Sequence, residues 1–171
     1  MNIKLVVPTK EDKTKAIDFK QEFFDKEEYV INGSELLDQI EDYAAWLASI
    51  ENNAKKETVS PSWVVTDTYF AVDENDRIVG IIDLRHELND FLRDFGHSGY
   101  SVRPSERCKG YATQMLGLLK DVARSHGMDK LQLSVERNNE PSVKTIVKNG
   151  GEYERSFIFQ NEEADVYFIK L

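Results

Sequence analysis

Arg107-Cys108-Lys109-Gly110-Tyr111-Ala112 is the stretch whose residue types and spacing could do chemistry. Gly110 lets a ligand come close to the main chain, Arg107 and Lys109 bring two cations beside it, and the first N–H groups of a following helix lack partners. Together these suit an anion. Before the turn, Ser98, Tyr100 and Val102 alternate with His97, Gly99 and Ser101 as in a strand, which Pro104 ends. After it, Ala112, Met115, Leu116, Leu119, Val122 and Ala123 recur at helical spacing up to Gly127, so a helix is expected from about Arg107 or Lys109. A glycine at a helix start is commonly only a cap. Strand, proline, turn, helix and a downstream Asn139 in this order favour a binding site instead.

The elements that must position this turn follow from the rest of the chain. At 171 residues, with 40% hydrophobic and 31% charged, it suits one domain with a real core. No apolar run approaches the roughly 20 residues of a membrane helix. The N-terminus has no leader pattern and the single Cys108 has no disulfide partner, so a cytoplasmic protein with no membrane partner is expected. A net charge of −9 argues against nucleic acid and favours a cationic partner.

Ile3, Leu5 and Val7 read as a first strand, and Thr9 as the cap of a helix to about Lys26. Leu36, Ile40, Tyr43, Leu47 and Ile50 then predict a second amphipathic helix. From Glu22 to Glu51 stand nine acids against one base, Lys26. Such a run is most simply a solvated face, and otherwise an acidic approach to a site. Asn52 to Ser62 reads as a loop, and Trp63 to Asp73 turns β-rich. Tyr69 to Val72 and Ile78 to Ile82 flank a charged turn as a hairpin with a bulge or close contact expected at Gly80, and a further strand, the third before the motif strand, runs to about Leu88. Leu131, Leu133 and Val135 alternate as a strand, Asn139 opens a short helix, and two strands close the chain, Tyr153 to Phe159 and Asp165 to Leu171.

The six residues of the turn match R/Q-x-x-G-x-G/A, and with Val102-x-Pro104 before it the chain resembles the GNAT superfamily of acyl-CoA-dependent N-acyltransferases. The resemblance covers the whole order of elements. It implies an α/β (α+β) fold: a single domain over residues 1–171, with a mixed, mostly antiparallel central sheet of about seven strands and helices on both faces. It also implies that Val102, Arg107, Cys108, Lys109, Gly110, Tyr111, Ala112 and Thr113 bind the pyrophosphate arm of acetyl-CoA, with Asn139 and Ser142 as a second contact. The N–H near Tyr100, where the family splays two strands, would polarise the carbonyl. Acetyl transfer to a primary amine is the expected activity, without a metal, on a small, cationic acceptor; a homodimer is compatible with all of this. The alternative is a CoA-binding module without transfer. Where many members have a tyrosine on the last helix this chain has Ile146, and Gly150-Gly151 replaces their G-F. Cys108 is not expected to carry an acyl group, and His126 reads as a helix-end residue.

The base must come from a neighbour, because Gly96 and Ser98 occupy positions where the family often places it. If Leu88 pairs with His97, Glu87 faces Ser98 and Arg85 faces Tyr100. A slip of one residue presents His86 instead, while His97 lies on the other face by the same alternation.

Overall fold

The computed structural model describes residues 2–171. In chain order the elements are β1 (Lys4–Val6), α1 (Lys13–Asp25), α2 (Tyr43–Asn53), β2 (Thr66–Val72), β3 (Ile78–Arg85), β4 (Tyr100–Val102), α3 (Tyr111–Ser125), β5 (Lys130–Glu136), α4 (Glu140–Lys148), β6 (Glu152–Phe159) and β7 (Glu162–Lys170).

The apolar run of β3 is buried on both faces, as befits a strand covered on two sides. One cluster packs Phe70, Ile78 and Ile81 against Phe19, Phe23 and Trp46 of α1 and α2. The other packs Val79, Ile82 and Leu84 against Met115, Leu116 and Leu119 of α3. The expected helices therefore lie on both faces. Gly80 is the close contact that permits this: a Cβ there would meet Met115 Sδ at 2.6 Å. The ladder opposite it also shifts register between Ala71 and Val72.

The strands differ from the single sheet expected. They form two sheets, β1-β2-β3-β4 and β5-β7-β6, and every pairing is antiparallel. Their link is narrow. Gly96 bridges Leu133, His97 N donates to the Gln132 carbonyl at 2.8 Å, and Gln132 N donates back to His97 Nδ1 at 2.9 Å. Beyond that link β5 turns its polar side chains to the preceding loop, with Gln132 Nε2 on the Arg93 carbonyl and Ser134 Oγ on the Phe95 carbonyl. No ladder joins β4 to β5 among the described residues, and the two strands stand apart.

The second helix also starts later than its periodicity predicts, at Tyr43 rather than near Leu36. Glu35 and Leu36 are left-handed, Asp38 accepts the Ile31 N–H at 2.8 Å, and the Trp46 indole donates to the Ser34 carbonyl at 2.8 Å. These side-chain bonds to the main chain compete with a helix over the same residues.

Candidate functional site

β3 and β4 set the geometry. Ile82 lies opposite Tyr100 and Ile81 opposite Ser101. The Asp83 N–H donates to the Gly99 carbonyl at 3.2 Å, and Arg85 N–H to the His97 carbonyl at 2.7 Å. Bonds to β3 thus fall on odd-numbered residues of this stretch, so the N–H of Tyr100 points away from β3 toward the opening between the sheets.

This register is three residues away from the one anticipated. Ser98 lies across from Leu84, and Arg85 lies across from His97 rather than Tyr100. Glu87 stands beyond the end of β3 and is exposed, so it does not face Ser98. His86 is not presented there either: its Nε2 lies 2.6 Å from Asp67 Oδ2. The loop consumes more chain than a tight return, because Phe91–Arg93 form a short 3-10 turn anchored by Leu92 N on Asn89 Oδ1.

Two clefts open between the sheets. The first, about 540 Å3, is lined by Val102, the turn residues Arg107, Cys108, Gly110, Tyr111, Ala112 and Thr113, and Asn139 and Ser142 of the α4 start. Gly110 is the N-cap of α3 with φ 84, a left-handed conformation that favours glycine. A Cβ on it would meet nothing within 4 Å, so the space above the helix start is open. Asn139 Oδ1 accepts the Ser142 N–H at 3.3 Å as the cap of α4. Lys109 does not line this cleft; its Nζ is 2.9 Å from Glu106. Arg107 forms a two-bonded pair with Glu28 at 2.8 and 2.6 Å, which raises the guanidinium further and holds the carboxyl of Glu28 below its usual value.

The second cleft, about 480 Å3, has aromatic walls from Trp63, Phe91, Phe95, Phe157 and Phe159, with Arg85, Glu136 and Glu162 as its charged residues. Both clefts are lined by Tyr100, Asn139 and Ser142, so they meet there. The Tyr100 hydroxyl is buried without a hydrogen-bond partner of standard geometry, and burial raises it above its usual value while Ser142 draws it back. Glu136 was not anticipated. Alternation along β5 puts it on the face of Gln132 and Ser134, toward this cleft.

Behind Gly99 lies a second unanticipated feature, a carboxyl pair. Asp83 is fully buried, and its Oδ1 accepts the Gly99 N–H at 2.6 Å. Burial first, and then the hydrogen bond and charge of Asp83, pushes Glu35 up to about 9, with Arg85 opposing. Glu35 therefore keeps its proton at neutral pH beside Asp83, whose Oδ2 has Arg85 Nη2 at 3.4 Å. A lone acid inside the run Ile78-Val79-Gly80-Ile81-Ile82-Asp83-Leu84 was the signal available in the sequence.

The acids of the Glu22 to Glu51 run go elsewhere. Glu22 binds buried Arg103 at 2.9 Å and Glu28 binds Arg107, while none of the nine lines the aromatic cleft.

Two antiparallel sheets parting over a glycine-capped helix, with helices on both faces, define the class: an α/β acetyltransferase fold. Residues 40–150 match the model of the Acetyltransferase (GNAT) family, and the chain belongs to that family. No curated protein sequence matches it. Among solved structures it is similar to a spermidine N-acetyltransferase, a chimera of Vibrio cholerae SpeG and hSSAT, at 15% identity and TM-score 0.68, covering 99% of this chain and 96% of that one. It is also similar to yncA from Salmonella typhimurium, solved with its cofactor acetyl-CoA, at 15% identity, TM-score 0.69 and coverage of 99% and 94%. The GNAT domain of S. lividans PAT shares 13% identity at TM-score 0.65, with 99% and 89% covered. No helix among the described residues is long and apolar enough to cross a membrane.

Proposed function

We propose that this chain transfers the acetyl group of acetyl-CoA to a primary amine held in the aromatic cleft. The observation that carries this reading is the meeting of the two clefts at Tyr100, Asn139 and Ser142. Acetyl-CoA supplies an activated acyl group. Its phosphates suit the open helix start at Gly110, where the N–H groups of Tyr111, Ala112 and Thr113 lack intrahelical acceptors, while Arg107 lines the cleft paired with Glu28. Lys109 contributes charge from outside the cleft. Holding amine and thioester across one junction supplies much of the rate by position alone.

The amine nitrogen attacks the thioester carbonyl, a C–N bond forms, and the C–S bond breaks. The N–H of Tyr100, directed into the opening, supports the carbonyl oxygen. The same residue's hydroxyl returns a proton to the departing thiolate, taking the role left open by Ile146. Its raised pKa keeps that proton in place at neutral pH. Glu136 accepts the proton that the amine must lose. Glu87 and His86, placed outside the cleft lining, take no part in this account.

A cationic acceptor is supported by Glu136 and Glu162 in the cleft, in place of the acidic helix face. The spermidine substrate in the name of one similar structure accords with it. Arg85 favours a second reading, an acceptor that also carries a carboxylate, because Arg85 Nε is buried without a partner. The deciding experiment incubates the protein with acetyl-CoA and a mixture of polyamines, amino acids and lysine peptides, and follows acetylated products by mass spectrometry. Acetylated polyamine supports the first reading and acetylated amino acid the second. CoA binding with no product from any amine leaves a binding module and removes the transfer reading.

A further inference from the structure

A group of side chains outside both clefts has no part in this reaction. Asp67 on β2, His86 just past β3 and His126 at the C-cap of α3 point to one another, and one ligating atom from each lies within 4.8 Å of the others. Two of the three histidines in the chain are brought together here across forty residues of sequence. Asp67 Oδ2 is 2.6 Å from His86 Nε2 and 3.4 Å from His126 Nε2, and the two imidazole rings stand 4.5 Å apart.

We propose that Asp67, His86 and His126 bind a divalent transition-metal ion. Metal–ligand bonds of about 2.0 to 2.2 Å in a tetrahedral site separate ligand atoms by roughly 3.3 Å, close to the Asp67–His126 spacing. The Asp67–His86 pair needs only to open from its hydrogen-bond distance by less than about 1 Å to match. Two imidazoles and one carboxylate suit zinc, nickel or cobalt, whereas magnesium and calcium prefer oxygen donors. The site also sits at the carbonyl end of α3, where the helix dipole favours a cation. Three protein ligands leave a fourth position for water, and the three side chains are each part exposed, so an ion has access.

The placement defines what the ion does. α3 carries the glycine-capped turn at one end and His126 at the other, about 22 Å apart along a helix of 15 residues. The ion therefore pins the far end of the cofactor helix to the β2–β3 hairpin.

Chelator-stripped protein titrated calorimetrically with zinc chloride, and separately with magnesium chloride, tests the site. One-to-one saturation by zinc with no magnesium binding at the same concentrations is expected, together with a higher unfolding temperature for the zinc form. His126→Asn, at an exposed helix end that tolerates asparagine, and His86→Asn should each weaken zinc binding by about tenfold or more. Cys108→Ser should leave zinc binding unchanged, which excludes the exposed thiol as the ligand. Absence of saturable zinc binding, binding unmoved by His126→Asn in a folded variant, or binding lost with Cys108→Ser would each overturn the proposal.

Discussion

Gly110 shows at the scale of one residue how conformation and chemistry separate. Its left-handed φ penalises any side chain by about 1 to 2 kcal/mol, yet the space above it is empty. Gly110→Ala should therefore lose about 1 to 2 kcal/mol of stability, seen in urea unfolding, and keep most of its CoA affinity. Gly110→Asp should lose a similar amount of stability and abolish CoA binding, because it sets a carboxylate where phosphate is proposed to sit. Equal calorimetric CoA affinity in the Asp variant would contradict the assignment of the turn. Cys108 lines the same cleft and is exposed, so saturating CoA should slow its alkylation by a maleimide by about tenfold or more, in proportion to occupancy. For Tyr100→Phe, CoA binding should be kept and kcat should fall by about 100-fold or more. A variant turning over at the wild-type rate would leave the thiolate proton to another donor.

At the scale of elements, β4 is held from both sides by titratable groups. The carboxyl pair holds Gly99 and the His97 ring accepts from Gln132 across the sheet gap. An unfolded glutamic acid loses its proton near 4.5, whereas Glu35 in the folded chain keeps it to about 9. Between these values the folded state binds the extra proton, so stability present at low pH is lost as pH rises. Glu35→Gln keeps the donor and removes the ionisation. Its stability relative to the parent should climb from about pH 4.5 to about 9, and a flat difference in urea unfolding across that window would mean that the folded chain does not hold Glu35 protonated. His97 acts in the opposite sense. Burial first, then Arg85 and Lys130, lowers it from 6.5 to about 4, so the unfolded chain binds the extra proton in that interval. Its contribution is present above 6.5 and is lost as pH falls to about 4.

Across the whole molecule, Arg103 ties the helical layer to the sheet. It is 1% exposed, donates Nε to the Ile78 carbonyl at 2.7 Å, reaches Asp18 and Glu22 of α1, and lies over the Phe19 ring. Arg103→Ala removes these contacts and the packing of the side-chain stem, and should cost about 3 kcal/mol of folding free energy by denaturant unfolding. A loss below about 0.5 kcal/mol would mean that α1 is held by its phenylalanines alone. The same layering bears on the acceptor. Asp18 and Glu22 of α1 are engaged by Arg103 and Glu28 by Arg107, and none of the nine acids lines the aromatic cleft, so salt should weaken acceptor binding chiefly through Glu136 and Glu162. Glu136→Gln should lower kcat/KM for a polyamine and flatten its salt dependence.

What was legible in the sequence was local. The glycine turn, the amphipathic helix behind it and the Asn139 cap depend on spacings within one stretch, where periodicity and capping chemistry act directly, whereas the further strand expected to run to Leu88 is the continuation of β3, Ile78–Arg85. The double-sided burial of β3 was also written there, in an apolar run too continuous for a half-exposed strand. Relations between stretches came only with the tertiary structure. The register of β3 against β4 depends on how much chain the Asn89 to Gly96 loop consumes, which no alternation pattern records. The division into two sheets rests on Gly96 and His97 meeting Gln132 from far along the chain. The run from Glu22 to Glu51 reads most simply as a solvated face and otherwise as an approach to a site, and only the structure puts Glu22 on Arg103 and Glu28 on Arg107. The pairing of Glu35 with Asp83 and the gathering of Asp67, His86 and His126 have the same origin: side-chain chemistry is encoded residue by residue, but which side chains share a site is decided by packing at long range.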